Sequence, residues 1–167
     1  IGGIDVWHNN AFSSVFRPIY EQTLEEFDST MAISLRAYWY GAKLAIEHMR
    51  EHDQYGVILN TASVQSYFGE AGFSAYQAAK GAILNMTRSL GKECAPKIRA
   101  VAIAGLIFTP AHNGIDDSTM DRVVSNIPAK RGAQPEEVAG LAAFLASDEA
   151  DYISATGVIM DGGYLGM

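Results

Sequence analysis

The sequence predicts an α/β fold in which helices cover both faces of a parallel sheet of about four strands. Short apolar runs, each about the length of one strand, alternate with segments whose apolar residues recur at steps of three and four. This alternation is typical of a parallel sheet with crossover helices. The predicted strands are Ile4–His8, Val57–Leu59, Ile98–Ile103 and Gly157–Met160. We expect them to form the carboxyl-end half of a doubly wound domain with right-handed crossovers.

Composition and charge limit the classes of partner. The net charge of −7 and the pI near 5.0 argue against nucleic acid or an anionic membrane as the main partner. No apolar stretch approaches the ~18 residues that span a bilayer. The single cysteine, Cys94, cannot form an internal disulfide, which suits a reducing compartment. The sequence therefore predicts a cytoplasmic protein whose main partner is neither nucleic acid nor a membrane.

Two helical segments have recognisable starts. A capping box, Thr23 with Glu26, opens a long helical region that we expect to run to about Glu51. Pro135 at a first helical position, followed by acidic residues, predicts another helix start. The segment 111–130 is loop-rich, with one short helical patch. No repeat, low-complexity tract or linker divides the chain, so residues 1–167 are predicted to form a single domain.

A tyrosine and a lysine four residues apart are the first candidates for chemistry. Ser74 and Gln77 have capping-box spacing, which predicts a helix that starts near Ser74 and runs to about residue 93, with Tyr76 in its first turn. Tyr76 and Lys80 then lie on one helix face. The helix dipole and the nearby ammonium are expected to lower the pKa of the Tyr76 phenol, as a phenolic acid or base requires. Ser63 follows the apolar run 57–59 and is placed to bind a carbonyl oxygen.

Two patterns also have a plainer interpretation. An amphipathic helix with a chance Tyr/Lys pair explains the spacing of Tyr76 and Lys80 taken alone. The segment 48–52 spells H-x-x-E-H, as in some zinc peptidases, but no third ligand is evident. A solvated last helical turn explains His48 and His52 better, because cations are favoured at helix C-termini. No metal site is predicted.

Several ordered motifs make the sequence resemble the short-chain dehydrogenase/reductase family. The core match is a serine followed by Y-x-x-x-K, here Ser63 and Y-Q-A-A-K at 76–80. The other matches are I-D-V-W-H-N-N-A at 4–11, G-V-I-L-N-T-A-S at 56–63, G-L-I-F-T-P at 105–110, R-G-A-Q-P-E-E-V-A at 131–139 and T-G-V-I-M-D-G-G at 156–163. The resemblance covers essentially the whole chain and implies a Rossmann-like fold.

The resemblance implies a reaction and a set of site residues. The reaction is hydride transfer between NAD or NADP and a small alcohol, ketone or aldehyde. The implied catalytic residues are Ser63, Tyr76, Lys80 and Ser34. The implied cofactor-binding residues are Asn9, Ala11, Tyr76, Lys80, Gly105, Ile107 and Thr109. In the family the first asparagine of the N-N-A loop braces the strands, and the proteins assemble as homodimers or homotetramers.

Three departures from the family pattern modify these expectations. Phe12 stands where the family has a glycine that lets the backbone approach the cofactor's adenosine. Ser34 replaces an asparagine that supports a water-mediated proton relay to the lysine, so we expect a weakened relay. The glycine-rich phosphate loop is absent from the chain, which begins at Ile1, and roughly 60–90 residues would hold it. The choice between NAD and NADP therefore stays open, as does whether the chain is a fragment.

Two other functions fit the same residues. Ser63 could act as a nucleophile with Tyr76 as its base, giving a cofactor-independent, esterase-like hydrolase, although G-x-S-x-G is absent. Alternatively, the chain could be a non-catalytic remnant that oligomerises through the exposed edge of its first strand. The sequence does not identify the substrate, although Tyr67, Phe68 and Phe73 suggest an apolar wall near the site.

Overall fold

The computed structural model describes residues 3–109 and 116–166, without the side chain of Asp117, and contains one four-stranded parallel sheet. The strands lie in the order β1-β2-β3-β4. In register, Val6 pairs with Val57, Gly56 with Ile98, and Val101 with Thr156. The strands are β1 (Val6–Asn9), β2 (Gly56–Thr61), β3 (Ile98–Gly105) and β4 (Thr156–Met160).

Helices cover both faces of this sheet. On one face, Ala42, Ala45 and Met49 pack on the sheet, together with the helix that contains Ile83 and Leu84. On the other face, Leu145 packs against strand residues. The predicted α/β fold with four strands is confirmed. The helices are α1 (Leu24–Met31), α2 (Ala37–Glu51), α3 (Ser74–Glu93), α4 (Asp117–Ser125) and α5 (Pro135–Ala146).

The long helical region predicted from Thr23 to Glu51 is continuous, but it contains a π-helical turn. The Thr23 capping box is present, with both reciprocal hydrogen bonds. Residues Ala32–Arg36 form the π turn, and α2 then runs to Glu51 as expected. A π turn inserts an extra residue into the helical ladder and is frequent at functional sites. Ser34, which replaces the family's asparagine, lies inside it.

Of the other two predicted helix starts, one has a capping box and the other does not. Gln134 and Glu137 form a capping box in front of Pro135, so α5 starts where the sequence predicts. Ser74 is the first residue of α3, but Phe73 holds the cap position and makes no side-chain cap bond. The predicted Ser74 capping box is therefore wrong. Tyr76 still lies in the first turn of α3, as expected.

A chain of buried amides and hydroxyls joins the first two strands to α3. Asn9 Nδ2 donates to Asn60 Oδ1 at 2.8 Å and to the Tyr38 carbonyl at 3.2 Å. Asn60 Nδ2 donates to Thr87 Oγ1 at 2.9 Å, and Trp7 Nε1 donates to Asn9 Oδ1 at 2.8 Å. These bonds fix the carboxyl end of β1 against β2 and α3, which is the bracing that the resemblance implies for Asn9.

No helix in residues 3–109 or 116–166 is long and apolar enough to cross a membrane.

We predict that Asn60→Ala destabilises the fold by about 2 kcal/mol, because one buried N–H of the Asn9 amide loses its acceptor and the Thr87 hydroxyl oxygen loses its donor. Urea unfolding should show a lower midpoint with an unchanged slope. Asn85→Ala, on the exposed face of α3, is the matched control. Equal midpoints for both variants would contradict the bracing role of Asn60.

Candidate functional site

The candidate site lies where the parallel strands end, at the edge of the sheet where ligands bind in open α/β folds. Asn9 is the last residue of β1, Ser63 follows β2 by two residues, and Gly105 ends β3. Helix α3 runs past this edge and carries Tyr76 and Lys80. The structure therefore brings together the residues that the sequence assigned to one site.

Ser63 lies in an extended conformation and caps a short 3₁₀ turn, Val64–Ser66. Its hydroxyl oxygen accepts a hydrogen bond from the Gln65 amide at 3.2 Å. Ser66 Oγ accepts a bond from the Ser63 amide at 3.2 Å and donates to the Lys80 carbonyl at 2.9 Å. Ser66, which was not predicted as a site residue, therefore joins the serine loop to the segment of α3 that carries Lys80.

Tyr76 meets Ser63 at this loop. A side-chain hydrogen bond from Ser63 favours the phenolate of Tyr76 and opposes the effect of burial, which raises the pKa of the phenol. Burial is the larger of the two effects, so the pKa lies above its ordinary value. The expectation that the dipole and the ammonium lower this pKa is wrong for the structure as it stands. In this state Tyr76 keeps its proton at neutral pH.

Lys80 is buried, with 1% of its surface exposed. Its ammonium donates to the Thr61 carbonyl at 2.6 Å, which fixes the side chain against the end of β2. Three aromatic rings surround Nζ at 5.3 to 5.9 Å from their centroids: Tyr38, Tyr76 and Phe12. Burial lowers the pKa of Lys80 to about 8, because it disfavours the charged form.

Thr61 connects this lysine to the first strand. Its carbonyl accepts from Lys80, while its hydroxyl donates to Asn10 Oδ1 at 2.7 Å. His8 Nε2 lies 3.0 Å from the same hydroxyl. Thr61 was not predicted as a site residue. It binds the Lys80 ammonium through its backbone carbonyl, which any residue would supply.

Aromatic side chains form a wall beside Tyr76. The Phe12 and Phe16 rings lie edge-on to the Tyr76 ring, at 6.1 and 5.7 Å between centroids. Phe16 also contacts Phe73 at 4.8 Å, so one of the three predicted wall residues lies in this cluster, while a wall of Tyr67, Phe68 and Phe73 facing the substrate stays a prediction. Phe12 and Phe16 were not predicted as members. Tyr67 and Phe68 lie further along, where the Phe68 ring contacts Tyr164 at 5.7 Å.

Ser34 is buried, and its hydrogen bonds in the described structure go to Ser13 and not to Lys80. Its hydroxyl donates to the Ser13 carbonyl at 2.8 Å and accepts from the Ser13 amide at 3.1 Å. The side chain thus fixes the loop that carries Phe12 and Phe16 against the π turn. A part for Ser34 in proton transfer stays a prediction.

The cofactor-binding candidates Gly105, Ile107 and Thr109 lie at the end of β3 or just after it, beside the same edge of the sheet. Ile107 forms an isolated bridge with Ala133, and a side chain at Gly105 would meet Ile107 at 2.8 Å. Thr109 is half-buried and Ala11 is exposed. Both N–H groups of the Asn9 amide are already used within the protein. The roles of these five residues toward a cofactor stay predictions.

The H-x-x-E-H segment forms the end of α2. The rings of His48 and His52 lie 4.2 Å apart, and His52 Nδ1 is 2.8 Å from the His48 carbonyl. Across 3–109 and 116–166, no group of three or more metal-ligating side chains is found.

Comparison with known proteins extends these observations. A family model described as enoyl-(acyl carrier protein) reductase matches residues 1–165. The 3beta-hydroxysteroid dehydrogenase 1 of Eggerthella lenta is 35% identical over 166 residues, covering 97% of this chain and 64% of the relative. The meso-2,3-butanediol dehydrogenase of Serratia marcescens is 34% identical, covering 98% of this chain and 65% of that protein. The chain thus spans a little under two thirds of the length of these two relatives.

Solved structures agree in fold. A crystal structure from Agrobacterium tumefaciens, described as a 2-deoxy-d-gluconate 3-dehydrogenase with bound NADP, superposes with a TM-score of 0.94. It is 29% identical to this chain and covers 98% of it, while the chain covers 68% of that structure. Since the family model matches almost the whole sequence and the relatives agree with it, the chain belongs to the short-chain dehydrogenase/reductase family.

Proposed function

We propose that this site interconverts a small-molecule alcohol and a ketone or aldehyde with NAD or NADP as the hydride carrier. The observation that carries the proposal is the joining of Ser63, Tyr76 and Lys80 at the carboxyl edge of the sheet. Ser63 is hydrogen-bonded to Tyr76, and the Lys80 ammonium lies 5.7 Å from the Tyr76 ring. Membership of a family whose matched relatives are named dehydrogenases supports it.

The polar groups of the site fit the nicotinamide end of such a cofactor. The buried ammonium of Lys80 has three N–H donors, of which one binds the Thr61 carbonyl. The remaining donors suit the hydroxyl groups of a ribose. Tyr76, Gly105, Ile107 and Thr109 would hold the adjoining part, and the cofactor supplies or accepts the hydride when bound. NAD and NADP both fit this description.

Phe12 sets a condition on this fit. Its ring lies 5.9 Å from Lys80 Nζ and edge-on to Tyr76, beside the ammonium that would hold the ribose. Nearly half of the Phe12 surface is exposed, 45%, so the ring can turn outward. Binding of the cofactor would then require Phe12 to leave its contact with Lys80.

Tyr76 would act as the general acid for carbonyl reduction. Since burial raises its pKa, the phenol carries the proton that the substrate oxygen needs. The O–H bond of Tyr76 breaks, an O–H bond to the substrate forms, and the phenolate that remains lies beside the Lys80 ammonium. The ammonium stabilises this anion in a largely buried site, where charge interactions are stronger than in water. In the direction of alcohol oxidation, the proton moves from the substrate hydroxyl to the phenolate of Tyr76.

Ser63 would hold the substrate oxygen. Its hydroxyl is fixed by the 3₁₀ turn and faces the phenol of Tyr76, so a carbonyl oxygen between the two would receive bonds from both. The wall of Phe12, Phe16 and Phe73 favours a substrate with an apolar part next to the reacting carbon.

Assembly and location are proposals of the same kind. Large apolar side chains lie exposed on α2 at Trp39, Tyr40 and Leu44, on α5 at Phe144 and on β4 at Ile159. Such faces suit a homodimer or homotetramer, as proposed from the sequence. A cytoplasmic location stays a prediction.

We predict that Tyr76→Phe lowers nicotinamide-dependent turnover by at least about 100-fold, because the phenolic proton is lost while the ring is kept. Turnover is measured from the absorbance of the reduced nicotinamide with a panel of simple ketones and secondary alcohols. Tyr55→Phe, at an exposed site away from the serine loop, is the control. Retained turnover in Tyr76→Phe would refute the role. Hydrolysis of an activated ester without nucleotide, lost in Ser63→Ala, would favour the hydrolase instead.

We predict that Phe12→Ala tightens cofactor binding about 3-fold, because the ring no longer has to leave the lysine before the ribose can bind. The measurement is the quenching of Trp7 and Trp39 fluorescence by the reduced cofactor. Ile19→Ala, exposed in the same loop, is the matched control. Weaker binding by Phe12→Ala would show instead that the ring is part of the cofactor-binding site.

We predict that wild-type stability rises relative to Lys80→Met as the pH increases from roughly 8 to 10. The pKa of Lys80 is about 8 in the folded protein and 10.5 when unperturbed, so in this window the unfolded chain binds more protons. Stability then increases with pH, by about 2 kcal/mol over the window. Urea unfolding at several pH values measures the difference, with Lys92→Met as the exposed control on α3. A difference that does not vary with pH would contradict burial of a charged Lys80.

A further inference from the structure

Tyr38 is a second buried tyrosine at the site, and the function proposed above does not use it. It lies on α2, one helical turn after Ser34, with only 1% of its surface exposed. Its carbonyl accepts from Asn9, whereas its hydroxyl is buried and has no hydrogen-bond partner among the described residues. The backbone of Tyr38 is therefore part of the polar brace, while its side-chain oxygen is not.

An unpartnered buried hydroxyl has an energetic cost. Burying such a group without a hydrogen bond destabilises the folded state, because the hydroxyl loses its bonds to water and gains none in return. A phenylalanine would fill the same space among apolar neighbours without this cost. A hydroxyl at this position therefore calls for a partner that the protein's own side chains do not supply.

The ring of Tyr38 faces the proton-transferring pair. Lys80 Nζ lies 5.3 Å from its centroid, the shortest of the three ring distances to that ammonium. Burial raises the pKa of the Tyr38 phenol, and the charge of a Tyr76 phenolate would raise it further. Among the described residues, these two groups, both on α3, are the titratable ones against Tyr38. The apolar residues packed with Tyr38 in this part of the core include Leu35, Ala62, Ala102 and Ala104.

The hydroxyl of Ser34 is bonded to both backbone groups of Ser13, whereas the Lys80 ammonium has N–H donors beyond the one that binds the Thr61 carbonyl. Tyr38 lies four residues later, on the same face of the helix, and its longer side chain reaches the lysine. In a buried polar site, one water molecule often bridges an N–H donor and a hydroxyl.

We propose that Tyr38 is a positioning residue for the Tyr76–Lys80 pair: its hydroxyl accepts, through one water molecule, a hydrogen bond from the Lys80 ammonium. This bond favours the charged form of Lys80 and so keeps a cation beside Tyr76 when the phenol gives up its proton. The proposal deepens the oxidoreductase function and rests on it only for its effect on turnover. Its effect on Lys80 can be measured without a cofactor.

The test compares Tyr38→Phe with the wild type, because this change removes the hydroxyl and keeps the ring. Lysine side chains labelled with ¹³C are titrated by NMR, with Lys80→Met used to assign the Lys80 signal. Because a hydrogen bond to the ammonium is lost, the pKa of Lys80 should fall further, by about half a unit or more, a roughly 3-fold change in its proton affinity. Tyr40→Phe, at an exposed site on the same helix, should leave the titration unchanged.

Stability supplies the second measurement. If Tyr38 only fills space, Tyr38→Phe leaves the Lys80 titration unchanged and the protein equally stable or more stable, and this result overturns the proposal. If the proposal holds, the titration shifts although the variant remains folded, and the alkaline limb of turnover moves to lower pH by the same amount. A shifted titration in a protein without nicotinamide-dependent turnover would support the part of Tyr38 and refute the oxidoreductase function.

Discussion

The bond from the Lys80 ammonium to the Thr61 carbonyl is the constraint on which the site depends. It places a cation at the carboxyl end of β2, where burial opposes the charge and lowers the lysine's pKa to about 8. A charge held there has to be compensated by a carbonyl and by ring faces, and the structure supplies both. Because Tyr76 lies one turn earlier on the same helix, fixing the lysine also fixes the phenol.

The serine loop is joined to the same helix from the other side. Ser66 donates to the carbonyl of Lys80, while the amine of Lys80 donates to the carbonyl of Thr61, so loop and helix hold each other at two points. Ser63 lies between these two anchors. Its hydroxyl is positioned by backbone geometry rather than by side-chain packing, which preorganises it for an oxygen that develops charge.

Much of this arrangement follows from local patterns in the sequence. The spacing of Tyr76 and Lys80, the apolar run before Ser63 and the capping box at Thr23 each involve residues close in the chain, so periodicity and capping rules predict them. The contacts of Phe12 and Tyr38 with Lys80 were not predicted, because they join segments far apart in sequence. The pKa of Tyr76 was expected to fall, since local rules describe the helix dipole and the neighbouring amine but not the depth of burial that the tertiary structure imposes.

Burial acts on the two groups of the pair in opposite directions and thereby sets the chemistry of the resting site. It raises the pKa of the Tyr76 phenol and lowers that of the Lys80 ammonium, yet about 8 still leaves most of the lysine charged at neutral pH. The pair therefore holds both protons and one positive charge among aromatic rings. A site in that state is prepared to give a proton to an oxygen that gains negative charge. Carbonyl reduction thus needs no prior ionisation of the site, whereas alcohol oxidation first requires Tyr76 to lose its proton against the effect of burial.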